Sequence, residues 1–350
     1  MSRRSAQIVP GSGSGVQGML SSTRAAPAEA GLPPNVGARG LLLHRSVPVA
    51  APDRAGGTPS VHRDGDDISA LMQVPAPSLI AAPGGYRIPV RLFGEGGTRR
   101  PVVMLHGLES HSGWFVQSAR RIASLGLPVH AFDRCGSGVS DADAEQCSRL
   151  EDLLAEVEAV VVDALAGSRH QSVHLVGHCF GATLALLYAA LHRPGRVASV
   201  VLATPALYTR TDLPVKHKLR VLWTVLRRRH DWVPIPLSPD EFSELASFVE
   251  FVRGDPLVLH EAPARLFYEI RRARRWLRAA AGALRAPLLV ALAENDPICD
   301  NARNRRLFQG VNAVKEIRTY PGVRHILEFS GAREAFLDDL AAWFERQESA

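Results

Sequence analysis

Val173-His174-Leu175-Val176-Gly177-His178-Cys179-Phe180-Gly181 is the stretch on which the reading of this chain turns. The apolar run Val173 to Val176 has the length and composition of a buried strand, and Ala182 to Ala190, with Leu184, Leu186 and Leu187, reads as a helix packed behind it. Cys179 then falls on the tight turn between them. The glycines at 177 and 181 leave room for that turn and for the helix to approach the sheet, so the Cys179 side chain projects at the sheet's carboxyl end. A free cysteine is often only a small buried hydrophobe. What distinguishes Cys179 is the set of residues that the surrounding pattern delivers to the same edge.

Upstream, Ser78 to Ala82 and Tyr86 to Phe93 read as two strands joined through Gly84-Gly85. Pro101 to Leu105 is a continuous apolar strand that ends in His106-Gly107-Leu108. A helix over Gly113 to Leu125 leads to the strand Val129 to Phe132, which runs into the glycine-rich loop Asp133 to Ser140. Leu150, Leu153, Leu154, Val157, Val161 and Leu165 mark one face of a helix closed by Gly167. Downstream, Ala198 to Leu202, Leu288 to Ala293 and Lys315 to Tyr320 are strands, and Phe336, Leu340, Trp343 and Phe344 stripe the closing helix.

Strands alternating with helices predict an α/β architecture, a mainly parallel sheet with helices on both faces. The rhythm fails between about 206 and 283. There Leu219, Leu222, Trp223 and Leu226 form one helical stripe, expected to pack against the core, and Leu266, Ile270 and Leu277 form another. This insertion reads as a helical cap over the edge that carries Cys179. The expected organisation is a disordered extension over 1–72, rich in Gly, Ser, Ala, Pro and Arg, then core over 73–205, cap over 206–283 and core over 284–350.

With 350 residues, 46% hydrophobic and 22% charged, the chain can bury a substantial core. Its formal charge of +6, from 41 Lys+Arg against 35 Asp+Glu, is modest. The basic residues lack aromatic interleaving or a recognised motif, so a nucleic-acid role is not expected. No apolar run is long enough to cross a bilayer, and none follows Met1 to Ser5 as a secretory signal would require. Cys135, Cys147, Cys179 and Cys299 are scattered without C-x-x-C or metal-ligand spacing. That points to reduced thiols in a cytoplasmic protein and to no metal site.

A thiol nucleophile needs a base, and the base needs an orienting acid. Asp296 follows the strand Leu288 to Ala293, and His325 follows the strand Lys315 to Tyr320, so parallel strands bring both to the edge where Cys179 turns. Asp300 is the competing acid, one helical turn further on, where it would instead face solvent or pair with Arg303. The backbone N–H groups of Phe180 and Leu108 are candidate oxyanion donors. Glu109 and His111 at the mouth, His178 as a wall residue, and Trp223 from the cap are candidate substrate-binding residues.

These residues resemble the α/β-hydrolase superfamily, in particular its monoglyceride-lipase or lysophospholipase-like branch, from about residue 76 to the carboxyl end. The matching segments are His106 to Ser112, Asp133 to Ser140, the turn at Cys179, Asp255-Pro256-Leu257, Asp296 and His325. The resemblance implies a helical cap, a nucleophile-acid-histidine triad in that chain order, and no cofactor. It has two departures. Ser137 stands where that branch commonly has histidine, and Cys179 stands where serine is usual. Cysteine at this place is a feature of dienelactone hydrolases and polyhydroxyalkanoate synthases, which this chain otherwise resembles in neither length nor pattern.

A thiolate is also a good leaving group, so its adduct with an unactivated ester tends to collapse backwards, whereas a thioester escapes that penalty. The expectation is therefore an acyl-S-enzyme formed from a thioester or other activated donor, carried by coenzyme A or a carrier protein, with the acyl group passed to water or a second substrate. A carboxylester or monoglyceride-type lipase is the alternative, and a non-catalytic binding protein of the same fold is the alternative of another class. Lys216, Lys218, Arg220 and Arg227 to Arg229, with Arg271, Arg272, Arg274 and Arg275, would give the cap a basic rim for an anionic donor or lipid surface.

Overall fold

The structure is a computed structural model, and it describes residues 68–227 and 229–349. Ten strands are β1 Ser78–Ala81, β2 Arg87–Phe93, β3 Val102–Leu105, β4 Val129–Phe132, β5 Val173–His178, β6 Val197–Ala203, β7 Trp232–Pro234, β8 Glu261–Pro263, β9 Leu288–Ala293 and β10 Lys315–Tyr320. The helices are α1 Ile68–Leu71, α2 Val116–Ala123, α3 Leu150–Ala166, α4 Phe180–Leu187, α5 Val215–Arg227, α6 Ala246–Gly254, α7 Ala264–Ala273, α8 Leu277–Ala283, α9 Asn301–Gln309 and α10 Arg333–Ser349.

Eight strands form one sheet in the order β1-β2-β4-β3-β5-β6-β9-β10. The first two pairings are antiparallel and the other five parallel. The expected mainly parallel sheet, covered on both faces, is therefore present. Its centre is β5, buried at all six positions, as a strand covered on both faces must be. The outer strand β10 has an exposed lysine at its start and Arg318 near its end. Charges there discourage pairing with another chain.

Helix packing follows the sequence periodicity. In α3, Leu150, Leu153, Leu154, Val157, Val160, Val161 and Ala164 are buried, and Glu151 and Asp152 occupy the first turn, where the helix dipole favours negative charge. In α10 the predicted stripe of Phe336, Leu340, Trp343 and Phe344 is buried. Each such apolar side chain contributes about 1.5–3 kcal/mol relative to exposure.

Three expectations need correction. Of the segment 1–72, residues 1–67 lie outside the described residues, while Ile68–Leu71 form a helical turn with Ile68 and Met72 against the core. The apolar stripe of α5 does not pack inward. Leu219, Leu222 and Leu226 are 61%, 52% and 69% exposed, and α5 instead rests on Val221 and Thr224. Within the insertion, α6 sends Phe248 and Val252 into the core beside Phe329, and α8 packs Leu277, Ala280 and Ala281 into the core layer, so the roof over the site is α5, α7 and the short ribbon β7-β8.

The third correction concerns the cysteines. Cys135 and Cys147 form a disulfide across 12 residues of the loop between β4 and α3, whereas all four were expected as reduced thiols. Cys179 and Cys299 are free and buried. No helix among the described residues is long and apolar enough to cross a membrane. Closing a loop of this length is worth about 3 kcal/mol in the chain-entropy treatment. Replacing Cys135 and Cys147 together by serine is expected to lower the free energy of unfolding by about that amount, read as a lower guanidinium midpoint at constant slope. An unchanged midpoint would mean that the bridge constrains nothing that folding must order.

Candidate active site

Cys179 lies between β5 and α4 with φ 52° and ψ −115°, a region non-glycine residues seldom occupy. Its neighbours enforce it. Its N–H donates to the Ala203 carbonyl at 3.1 Å, and its carbonyl accepts from Ala206 at 3.0 Å and Ala182 at 3.2 Å. A Cβ on Gly181 would sit 2.3 Å from the Leu105 carbonyl oxygen, and one on Gly177 would sit 2.6 Å from the Ala182 Cα. Both glycines are thus required by close approach of backbone.

Asp296 and His325 meet at this edge. The His325 Nδ1 donates to Asp296 at 2.9 and 3.1 Å, and the Asp296 Oδ1 also accepts from the Ile298 and Cys299 N–H groups, each at 2.9 Å. Both side chains are buried. Burial opposes the charge on each, but the opposite charges outweigh it: the Asp296 carboxylate raises the His325 pKa well above the usual imidazole value, and His325 with the two N–H donors lowers that of Asp296. With Nδ1 held, the Nε2 of His325 has no hydrogen-bond partner among the described residues. Asp300, the competing acid, caps α9 through the Arg303 N–H and pairs with the Arg303 side chain at 3.4 Å.

Leu108 and Phe180 both line a cavity with Cys179. The peptide between Gly107 and Leu108 is anchored by its carbonyl, which accepts from Arg134 at 2.7 Å and from the His106 Nδ1 at 2.9 Å. A trans peptide points its N–H opposite to its C=O, so the Leu108 N–H faces away from Arg134 and has no partner among the described residues. Gly107 abuts Cys179, since a Cβ there would lie 3.1 Å from the Cys179 Cβ.

Sequence reasoning missed what holds this loop. Arg134 is buried, donates also to the Leu108 carbonyl at 3.3 Å, and lies over the Phe180 ring at 5.2 Å. Burial pulls its pKa down to about 10. His106 accepts from the Arg134 N–H at its Nε2, 3.0 Å away, so Nδ1 carries the proton. The one sequence signal was the Asp133-Arg134 pair at the head of the glycine loop. Asp133 is fully buried and accepts from Arg91, the Ser112 N–H and the Val139 N–H. Ser137, at the departure from the branch pattern, lies only within 3.5 Å of Arg134. Cys299 was also overlooked: its Sγ is 3.8 Å from the His325 Nδ1 and 3.3 Å from the Thr204 carbonyl.

The four candidate substrate-binding residues do not line the cavity. His178 stacks on Phe115 at 3.8 Å, and burial pushes its pKa down to about 3, so it is a neutral part of the packing. The Nε2 of His111 meets the Asp255 carboxylate at 2.9 Å, a carboxylate that also accepts from the Trp114 indole at 2.6 Å. Trp223 is half exposed and carries Arg227 over its ring at 4.2 Å. Glu109 is buried, and its carbonyl accepts from Leu259 at 3.0 Å.

The cavity holds about 420 Å³, within the size range of small-molecule sites. Cys179, Phe180 and Leu108 form its floor, Ile235, Leu237, Val221, Leu222, Phe267 and Ile270 its apolar walls, and arginines from the end of α7 its rim. Among the described residues, two buried groups have ligand-type side chains within reach of one ion, Cys135-Cys147-Glu156 and Asp296-Cys299-His325. In the first the sulfurs are joined to each other, and in the second His325 and Asp296 are joined by their own hydrogen bonds.

Residues 96–330 match the family model described as serine aminopeptidase, S33. The chain belongs to this family. Among curated relatives, the human monoglyceride lipase is 27% identical over 264 residues, covering 72% of this chain and 83% of the relative. The monoglyceride lipase homolog of monkeypox virus is 26% identical over 247 residues, covering 69% and 88%. Among solved structures, the monoacylglycerol lipase of Paleococcus ferrophilus superposes with a TM-score of 0.67 at 23% identity over 74% of this chain and 99% of its own. A soluble variant of the Saccharomyces cerevisiae monoglyceride lipase gives 0.69 at 16% identity over 80% and 97%. The chain is thus a monoglyceride-lipase-like hydrolase with the α/β-hydrolase fold.

Burial, with the charge of Glu241, pushes the Glu109 pKa from 4.5 to about 8 against the opposing pull of His325. The folded protein therefore keeps a proton that the unfolded chain has released between those values, and stability falls as pH rises from about 4.5 to about 8. Glu109→Gln is expected to flatten that decline and to be the more stable protein at pH 8, measured by denaturant unfolding across the interval. Parallel curves for the two proteins would show that Glu109 is ionised throughout.

Proposed function

We propose that this family member is an acyl-ester hydrolase of the monoglyceride-lipase type that works through Cys179, with His325 as base and Asp296 as its orienting acid. The observation that carries the reading is the anchored imidazole: His325 is held at Nδ1 by Asp296 while its Nε2 is unpartnered, and Cys179 lines the adjoining apolar cavity. The Cys179 Sγ attacks the acyl carbonyl and its proton passes to the His325 Nε2. The N–H groups of Leu108 and Phe180 receive the developing oxyanion. Collapse expels the alcohol, which takes the proton from His325, and water then attacks the acyl-S-enzyme with the same imidazole as base. The apolar walls suit an acyl chain, and relatives named monoglyceride lipase support an ester as donor.

A second reading rests on one atom. Cys179 occupies the position of the nucleophile in a family described by its serine, and a thiolate departs from a tetrahedral adduct more readily than an alkoxide, so an adduct with an oxygen ester tends to return to the free thiolate. A thioester donor matches the leaving groups and removes that penalty.

Cys179→Ala is expected to lower turnover of a short acyl ester by about three orders of magnitude or more, and Asp296→Asn by a comparable factor. Intact-protein mass spectrometry during turnover should show the acyl mass on a peptide containing Cys179. Cys179→Ser should raise the ratio of ester to thioester turnover. Full activity in Cys179→Ala, or an acyl group trapped elsewhere, would remove the nucleophile from this scheme.

A further inference from the structure

The cavity has a charge imbalance that a neutral glyceride does not answer. Lys218, Arg271, Arg272, Arg274 and Arg275 line it against one carboxylate, Asp212. Two of the cations are satisfied within the protein: Lys218 pairs with Asp212 at 2.6 Å, and Arg272 pairs with Glu269 at 2.7 Å and with Glu151. Arg271, Arg274 and Arg275 form no ion pair among the described residues. All three lie at or just beyond the carboxyl end of α7, where the helix dipole favours cations. That accounts for their tolerance but leaves Arg274 unexplained.

Arg274 is partly buried. One of its terminal nitrogens donates to the Thr209 Oγ1 at 2.8 Å, and that hydroxyl in turn donates to the Thr211 carbonyl at 2.9 Å. Its Nε is buried with no partner. The charged groups acting on it are Asp212, which favours its charge, and Arg271 and Arg303, which oppose it. Thr209 is bridged to Cys299, three residues beyond Asp296, so the guanidinium is fixed relative to the candidate base and acid. Lining the cavity beside two repelling cations, and with no carboxylate paired to it among the described residues, this guanidinium is suited to receive phosphate oxygens.

We infer that Arg274, with Arg271 and Arg275, forms a subsite for a phosphate group carried on the leaving portion of the acyl substrate. This rests on the reading of Cys179 as the residue that receives the acyl group, and it places the acyl chain among the apolar walls and the phosphate at the rim. The shared chemistry is an acyl group joined to a phosphate-bearing carrier, through an oxygen ester as in an acylglycerol phosphate or through a thioester as in an acyl-coenzyme A.

The test uses binding to the full chain carrying Cys179→Ala, so that it does not depend on turnover. Below their aggregation thresholds, 1-oleoylglycerol, 1-oleoylglycerol 3-phosphate and oleoyl-coenzyme A are titrated calorimetrically at low and at physiological ionic strength. At least one phosphate-bearing ligand is expected to bind about tenfold or more tightly than 1-oleoylglycerol, with an advantage that shrinks as salt rises. The arm that shows the advantage identifies the linkage. Arg274→Gln should abolish it, and Arg274→Lys, which retains charge without the fork, should restore it in part. Because Arg274→Gln also loses the bond to Thr209, the exposed pair Arg271→Gln and Arg275→Gln is measured beside it and should reduce the advantage several-fold. Equal affinity for the neutral and both anionic ligands, or an advantage untouched by either set of substitutions, overturns the subsite. An active Cys179→Ala protein would overturn the nucleophile instead and leave the affinity ratios interpretable.

Discussion

The site depends on the strained backbone at Cys179. Holding Cys179 at φ 52° costs on the order of 1–3 kcal/mol, and the chain meets that cost with backbone. Strand β6 fixes the Cys179 N–H through Ala203, the following loop fixes its carbonyl through Ala206, and helix α4 is drawn so close to β3 that only glycine fits at 181. The strain therefore rests on the central strands of the sheet, the part of the molecule least able to relax. A side chain carried on such a turn is positioned by the fold itself, and its direction does not depend on the cap.

The second layer of order is polar and lies beneath the loop after β3. Asp133, Arg91, Arg134 and His106 form a buried network whose donors and acceptors converge on Ser112, Gly107 and Leu108. Buried polar groups are costly unless paired. Pairing them here sets the orientation of one peptide plane, and with it the direction of the Leu108 N–H. Arg134 also covers Phe180, so the two candidate oxyanion donors are referred to one guanidinium.

How much of this was legible follows from what each residue's role depends on. That Cys179, Asp296 and His325 would come to one sheet edge was readable because each follows a strand, and parallel strands align their ends. The mainly parallel sheet and the buried stripe of α10 were readable because burial imposes a period. The roles of Arg134 and Cys299 were not, since a buried arginine or thiol looks in sequence like any other. The cap misled for a related reason. Leu219, Leu222 and Leu226 have the spacing of a packing seam, but spacing states only that residues share a face, not what covers it; here α5 turns that face away from the core. His178 and His111 were drawn to the site by sequence adjacency, yet alternation along β5 sends one ring to Phe115, and Asp255 claims the other.

The grip of Asp255 has a mechanical consequence. Its carboxylate joins His111 and Trp114, two residues of the core, to the middle of the insertion, and the neighbouring Leu259 N–H is tied to the Glu109 carbonyl. The insertion is thereby pegged at its midpoint as well as at its two ends. With α6 and α8 also seated in the core, with Ala262, Leu266 and Ala273 of β8 and α7 buried there too, and with the end of α7 tied to Glu151 by Arg272 and to Thr209 by Arg274, the portion left able to move reduces to α5. α5 carries Val221 and Leu222 of the apolar wall while the arginines stay with α7, so any widening of the entrance draws a greasy edge of the mouth away from a charged edge that stays in place.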